Sequence, residues 1–350
     1  MTSVSIGSHE VGEGHSCFVI AEAGVNHNGD LALAQRLVDA AVDAGADAVK
    51  FQTFQADRLA AAMAPKAAYQ RMRTNGYESQ LEMLRRLELS SSAHETLVRH
   101  CRARGILFLS SAFDEASADL LERLDVPAFK IPSGELTNLP LLEHLARKGR
   151  PLIVSTGMAT LEEVEQAVRA IRRAGAVPPL VLLHCVSSYP APADHANLRA
   201  MDTLAGSFGC PVGYSDHTEG LEVALAAAAR GACVIEKHLT LDRSLPGPDH
   251  HASSTPDEFT RLVHSIRVVE GALGDGRKAP AACERPIADV ARKSLVTARD
   301  VPAGARLTAE AIAIKRPGTG LPPARLADVI GRVAARMIPA DTLLSEEMLR

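Results

Sequence analysis

The chain has 350 residues, 46% hydrophobic, 23% charged and only 3% aromatic, with a net charge of −4 at neutral pH. That length holds one domain of about 250 residues plus a small second one, and the acidic balance lacks the basic footprint of a nucleic-acid partner. Six scattered cysteines without a C-x-x-C pair, a start (MTSVSIGSHEVGEG) without a signal pattern, and a longest apolar tract broken by Glu222 and Arg230 point to a reduced cytoplasmic protein with no membrane span.

In chain order, short apolar runs occur at Cys17–Ala21, Ala48–Phe51, Ile106–Leu109, Val126–Ile131, Leu152–Val154, Leu180–Cys185, Val212–Tyr214 and Cys233–Ile235. Helix-like stretches follow them, with apolar residues at three- and four-residue spacing; Leu31–Ala44, Ala93–Ala103, Leu161–Ala174 and Leu221–Ala229 show this best. Continuous apolar strands alternating with helices imply a parallel sheet buried on both faces. Eight such units predict an α/β fold, a closed (β/α)8 TIM barrel over residues 1–275. The long connection from Thr53 to Ser90, helical in parts, predicts a cap over the barrel mouth. Residues 276–290, rich in Gly, Pro and charge, are expected to be a linker. Residues 291–350 carry an internal near-repeat, VPAGARLTAEAI (Val301–Ile312) on IPADTLLSEEML (Ile338–Leu349), which suggests a small pseudo-symmetric β-rich domain with Thr308 and Ser345 as N-caps.

Barrel active sites sit at the C-terminal ends of the strands. Those ends deliver Glu22; Lys50 and Gln52; Ser110 and Ser111; Lys130, Ser133 and Glu135; Ser155 and Thr156; Ser187, Ser188 and Tyr189; Ser215, Asp216 and His217; and Glu236, Lys237 and His238. His217 and His238, ending neighbouring strands, are candidate ligands of a divalent metal with open positions. Either one alone reads as a satisfied core or surface histidine; the pair at adjacent strand ends favours the metal. Lys50 and Lys130 with Ser133, Ser155 and Ser215 form a candidate cradle for phosphate and carboxylate, although each serine alone could be a helix cap. Glu22 is a general acid–base candidate or a counter-ion for Lys50. These residues indicate metal-assisted chemistry on a small anionic substrate, without naming it.

The segments IAEAGVNHNGD, DAVKFQTF, FKIPSGELTNLPLL, LIVSTGM, LLHCVSSYPAP, GYSDHT, EKHLTLDRSLPGPDHHAS and IKRPGTG together resemble the sialic acid synthase family, in family order from first strand to tail. The tail is similar to that family's antifreeze-like (SAF, β-clip) domain. The resemblance implies condensation of phosphoenolpyruvate with an open-chain N-acetylmannosamine-type sugar, giving N-acetylneuraminate and phosphate, with legionaminate synthesis from 2,4-diacetamido-2,4,6-trideoxymannose as the alternative. It implies Glu22 as acid–base residue and His217 and His238 as ligands of Mn2+, or of Mg2+ or Co2+. Lys50, Lys130, Ser133, Ser155 and Ser215 would hold phosphoenolpyruvate, with Ser111 and Ser187 where some relatives have Thr and Asn. Gln52, Asn75, Glu135, Tyr189 and Asp249 would meet the sugar. Arg316 would reach into a partner's barrel, so a domain-swapped homodimer is expected. A deoxy-keto-acid phosphate synthase would need more basic residues, and an ice- or sugar-binding protein would leave the strand-end cluster unexplained.

Overall fold

The computed structural model describes residues 3–74, 77–175 and 178–350, which divide into two compact units, Met1–Gly274 and Asp275–Arg350. In the first unit a hairpin of β1 (Ser3–Ile6) and β2 (His9–Gly12) precedes eight strands: β3 (Phe18–Gly24), β4 (Ala48–Thr53), β5 (Leu107–Ala112), β6 (Phe129–Ile131), β7 (Leu152–Ser155), β8 (Leu180–Cys185), β9 (Val212–Asp216) and β10 (Val234–His238). The eight pair in parallel around a closed barrel, with β10 returning to β3. All eight predicted runs are barrel strands. The helices between them start where local chemistry dictates. Asp30 accepts hydrogen bonds from the amides of Ala32 and Leu33 to open Leu31–Asp43, and a Thr160/Glu163 capping box opens Leu161–Arg173.

Side chains alternate across a strand, so every second residue points into the barrel. The lower interior is apolar: Phe18, Ile20, Ala48, Leu109, Ala128, Ile153, Val181, Leu183 and Val234 pack there together with Val4, Ile6 and Val11 of the hairpin. The hairpin, which the sequence pattern did not reveal, thus adds its apolar side chains to that core. Gly213 belongs to this layer because a Cβ there would meet the Val234 carbonyl oxygen at 2.5 Å and Leu183 Cδ2 at 2.8 Å. Gly213→Ala should therefore cost about 1–3 kcal/mol by overpacking, read as a lower denaturant midpoint; an unchanged midpoint would mean the interior can relax around a methyl group.

The Thr53–Ser90 connection contains helices Ala56–Leu59, Ala68–Arg73 and Gln80–Leu87. Val25, Phe54, Met83 and Leu87 form a separate small apolar core with Leu59, Leu84 and Phe113, which fastens this cap to the strand ends. No helix among the described residues is long and apolar enough to cross a membrane.

In the second unit a helix, Arg285–Ala291, takes up the last residues of the stretch 276–290 that composition reads as linker. Beyond it β11 (Ser294–Thr297) pairs antiparallel with β12 (Ile312–Lys315). The near-repeat is structural: its first residues, Val301 and Ile338, exchange backbone hydrogen bonds of 2.8 and 2.9 Å with each other. Its fourth residues, Gly304 and Asp341, both have positive φ, and its Leu307 and Leu344 share one core. Thr308 and Ser345 occupy N-cap positions of single 3-10 turns, but neither side chain makes the expected capping bond.

Candidate active site

One step above the apolar layer, the inward position of each strand becomes polar or sulfur-bearing. Ile20 gives way to Glu22, Ala48 to Lys50, Leu109 to Ser111, Ala128 to Lys130, Ile153 to Ser155, Leu183 to Cys185, Gly213 to Ser215 and Val234 to Glu236. The two-residue period of the barrel builds this layer directly. These eight residues line one cavity of about 450 Å³ at the mouth.

Charge is concentrated at its floor. Lys50 Nζ lies 2.7 Å from Glu22 and 3.8 Å from Glu236, and Lys130 Nζ lies 3.9 Å from Glu236. Lys130 also donates to Ser155 Oγ at 2.7 Å, and Ser215 Oγ donates to Glu236 at 3.0 Å. The two carboxyls differ in character, though both are buried. Burial pushes Glu22 up to about 7 against the pull of Lys50. In Glu236 the same burial is outweighed by Lys130 and Lys50, which hold the group at about 2. Burial also lowers Lys130, whereas Glu22 and Glu236 outweigh burial at Lys50 and raise it. Environments that drive paired groups apart mark acid–base sites.

Beside this floor Ser133 Oγ accepts from the Gly157 amide at 3.0 Å and lies 3.1 Å from Cys185 Sγ. A Cβ on Gly157 would fall 2.4 Å from Ser187 Oγ and 2.8 Å from Ser133 Oγ. Only glycine leaves this hydroxyl-lined niche open.

The two histidines stand side by side with ring centroids 5.5 Å apart, and the Tyr189 ring lies 4.3 Å from His217 and 5.6 Å from His238. His217 Nδ1 donates to the Val186 carbonyl at 2.7 Å, so Nε2 carries the lone pair. His238 Nδ1 is buried without a hydrogen-bond partner. Burial holds both imidazoles neutral, well down in the case of His238, where His217 adds to the effect. Neutral imidazoles with an oriented tautomer and an orphaned nitrogen suit a divalent ion. Among the described residues no group of three or more His, Cys, Asp or Glu is arranged to hold one, so the pair fits an open, partly hydrated site.

Thirteen of the sixteen sequence-predicted site residues line the cavity: Glu22, Lys50, Gln52, Ser111, Lys130, Ser133, Ser155, Ser187, Tyr189, Ser215, His217, His238 and Asp249. Glu135 does not; it is half-buried and accepts from the Asn138 side chain at 2.8 Å. Asn75 lies outside the described residues, and Arg316 belongs to the second unit, where it is exposed. The sequence placed Glu236 at a strand end without a role, and did not single out Cys185 and Gly157, nor Tyr69 and Gln70, which the cap contributes to the lining. Tyr69 packs on Tyr189 with ring centroids 5.2 Å apart.

The NeuB family model matches residues 37–278 and the SAF domain model residues 292–350. An N,N'-diacetyllegionaminic acid synthase of Legionella pneumophila is 49% identical over 96% of both chains, and one of Campylobacter jejuni is 46% identical over 94% of this chain and 98% of its own. A solved structure of an N-acetylneuraminic acid (sialic acid) synthetase from Leptospira borgpetersenii, in complex with citrate, superposes with a TM-score of 0.72 at 35% identity, covering 82% of this chain and 95% of that one. A family model spanning most of the barrel, full-length relatives and the strand-end chemistry agree: the chain belongs to the NeuB family, the sialic acid synthases, and is a phosphoenolpyruvate-dependent enzyme that forms a carbon–carbon bond.

Proposed function

We propose that the acceptor is open-chain 2,4-diacetamido-2,4,6-trideoxymannose and the product N,N'-diacetyllegionaminic acid, reversing the order in which the sequence motifs alone ranked this sugar and N-acetylmannosamine. The observation that carries the proposal is the lining of the mouth. Its cations among the described residues are Lys50 and Lys130, both already engaged at the floor, which leaves the barrel's own lining without a lysine or arginine for a phosphorylated acceptor. The cap side offers Tyr69, Met83, Leu84, Leu87 and Phe113, a wall suited to a C6 methyl and acetamido methyl groups. The two legionaminic acid synthases at 49% and 46% identity, against 35% for the sialic acid synthetase, support the same choice.

In this reading Lys130, Ser155, Ser133 and Ser187 hold the phosphate of phosphoenolpyruvate, and Lys50, Ser111 and Ser215 its carboxylate side. His217 and His238 hold a divalent ion, Mn2+ in the first instance, which supplies Lewis-acid polarisation of an aldehyde oxygen. The phosphoenolpyruvate methylene carbon bonds to the sugar's aldehyde carbon, water adds to the enol carbon, and the carbon–oxygen bond to phosphate breaks. Glu22 delivers a proton to the oxygen of the former aldehyde. Gln52, Tyr189 and Asp249 orient the sugar, and Arg316 reaches it from the second copy of a domain-swapped homodimer.

An acid must be protonated to act. With Glu22 at about 7, turnover should fall as pH rises through that region, and Glu22→Gln should lose the limb along with about 10²–10⁴-fold in kcat. A limb that persists in the variant would assign it to another group. Arg316→Ala should raise KM for the sugar about tenfold or more while leaving that for phosphoenolpyruvate within about twofold; movement of the phosphoenolpyruvate constant alone would remove Arg316 from the acceptor.

The test of the acceptor is kcat/KM for phosphate release with three sugars. The trideoxy sugar should exceed N-acetylmannosamine by about tenfold or more, a margin of the size a few apolar contacts supply, and N-acetylmannosamine 6-phosphate should be the poorest. Preference for N-acetylmannosamine would make the product N-acetylneuraminate; preference for the phosphorylated sugar would overturn the reading of the mouth.

A further inference from the structure

The side chains on the outer face of β9 and β10 form a second charged group that the chemistry above does not use. Asp216 and Lys237 are register partners on these adjacent strands. Because side chains alternate, they point away from the cavity while their neighbours Ser215 and Glu236 point into it. Lys237 Nζ donates to Asp216 Oδ2 at 2.5 Å and to the Thr218 carbonyl at 2.8 Å. Asp216 Oδ1 accepts from the Thr218 amide at 3.0 Å and from its hydroxyl at 2.8 Å. Asp216, Lys237 and Thr218 are only 1–3% exposed.

A buried ion pair is seldom the most stabilising filling for such a space, since an apolar pair of equal volume often holds a fold as well or better. What this pair adds is direction. Two hydrogen bonds from Lys237 tie the turn after β9 to the end of β10, two more between Thr218 and Asp216 brace that turn, and His217 and His238 sit on those two chain ends. Further bonds complete the frame: the Ala191 amide donates to the His217 carbonyl at 2.8 Å, and the Ser254 amide to the His238 carbonyl at 2.8 Å. Each histidine therefore has its backbone held, and the Asp216–Lys237–Thr218 group links one histidine's segment to the other's by side chains on the outer face, as Ser215 and Glu236 do inside the cavity. Two ligands on separate strands bind one ion well only when their separation is set beforehand.

We propose that Lys237, with Asp216 and Thr218, is a positioning clamp that fixes the spacing of His217 and His238 and thereby sets the affinity for the divalent ion. The inference rests on the metal reading given above. Lys237 touches neither substrate nor ion; it acts through the two strand ends.

The test is titration of the full-length protein with Mn2+ alone, following free Mn2+ by electron paramagnetic resonance, so that no turnover is required. Wild type is expected to bind Mn2+ and His217→Ala to lose it. Lys237→Met should bind about 10–100-fold more weakly, the usual effect of removing support behind a metal ligand, while Lys237→Arg, which keeps charge and donors, should lie closer to wild type. Because Lys237→Met strands a buried carboxylate and can fail to fold, the double variant Asp216→Asn/Lys237→Met, which leaves no unpaired charge, carries the same expectation, with a cooperative melt confirming its fold. A folded double variant with wild-type Mn2+ affinity would overturn the clamp and leave the histidine site standing. Failure of wild type to bind Mn2+ would overturn the metal reading, and the clamp with it.

Discussion

His238→Ala is expected to reduce turnover by roughly 10³-fold, the several kcal/mol that a Lewis acid contributes, while costing the metal-free protein the packing of the ring but no hydrogen bond at Nδ1. The reason is the unusual position of this side chain. Its Nδ1 is buried with no hydrogen-bond partner, and burial together with His217 already holds the ring neutral. Truncation therefore strands no donor or acceptor at that nitrogen. His217→Ala differs, because it removes the hydrogen bond to the Val186 carbonyl and should cost about 1–3 kcal/mol of stability besides the loss of turnover. The deciding measurement is thermal denaturation with and without Mn2+. A saturating ligand at 100 times its dissociation constant stabilises by about 2.7 kcal/mol, so wild type should gain that shift and His238→Ala should not. Equal shifts in both proteins would remove His238 from the site.

Lys50→Met should be damaging in a different way, because it removes a cation from between two buried carboxylates, 2.7 Å from Glu22 and 3.8 Å from Glu236. Breaking a buried ion pair from one side costs about 3–5 kcal/mol, and the loss should depend on pH. Without Lys50 both carboxyls move up, Glu22 from a position already raised above the ordinary value of 4.5 to about 7, and Glu236 from about 2. The folded variant then holds protons that the unfolded chain releases, so its stability must fall as pH rises above about 4.5. The deficit relative to wild type should be smaller at pH 5 than at pH 8. KM for phosphoenolpyruvate should rise on the order of 100-fold, as expected for losing a charge-assisted contact to an anion. A deficit independent of pH would show that Lys50 is not the counter-ion of these groups.

Much of this site was visible in the residues before any coordinates, for a physical reason. A closed barrel places the ends of its strands on one rim, so Glu22, Lys50, Lys130, Ser155, Ser215, His217 and His238 could be gathered simply by reading where each apolar run stops. Glu236 was harder. It stands in the run Glu236–Lys237–His238, where three ionisable residues follow one another and composition does not say which face inward. The alternation from Val234 decides it, placing Glu236 with the floor and Lys237 on the outer face. Gly157 was invisible because its contribution is the absence of a Cβ beside Ser133 and Ser187. Tyr69 and Gln70 come from the cap, whose helices are short and whose register over the mouth depends on the packing of Met83 and Leu87, a tertiary effect with no periodic signature. The hairpin Ser3–Gly12 has four-residue strands with two buried residues each, too short a pattern to separate from a loop.

The central claim is that this barrel joins phosphoenolpyruvate to an unphosphorylated acetamido sugar with the help of a metal at His217 and His238. The most direct measurement is phosphate release from phosphoenolpyruvate, followed continuously, with 2,4-diacetamido-2,4,6-trideoxymannose and Mn2+ added in either order. No release is expected until both are present, with one phosphate for each molecule of keto-sugar acid formed and complete arrest by a chelator. Release without the sugar, or undiminished release after chelation, would contradict the claim.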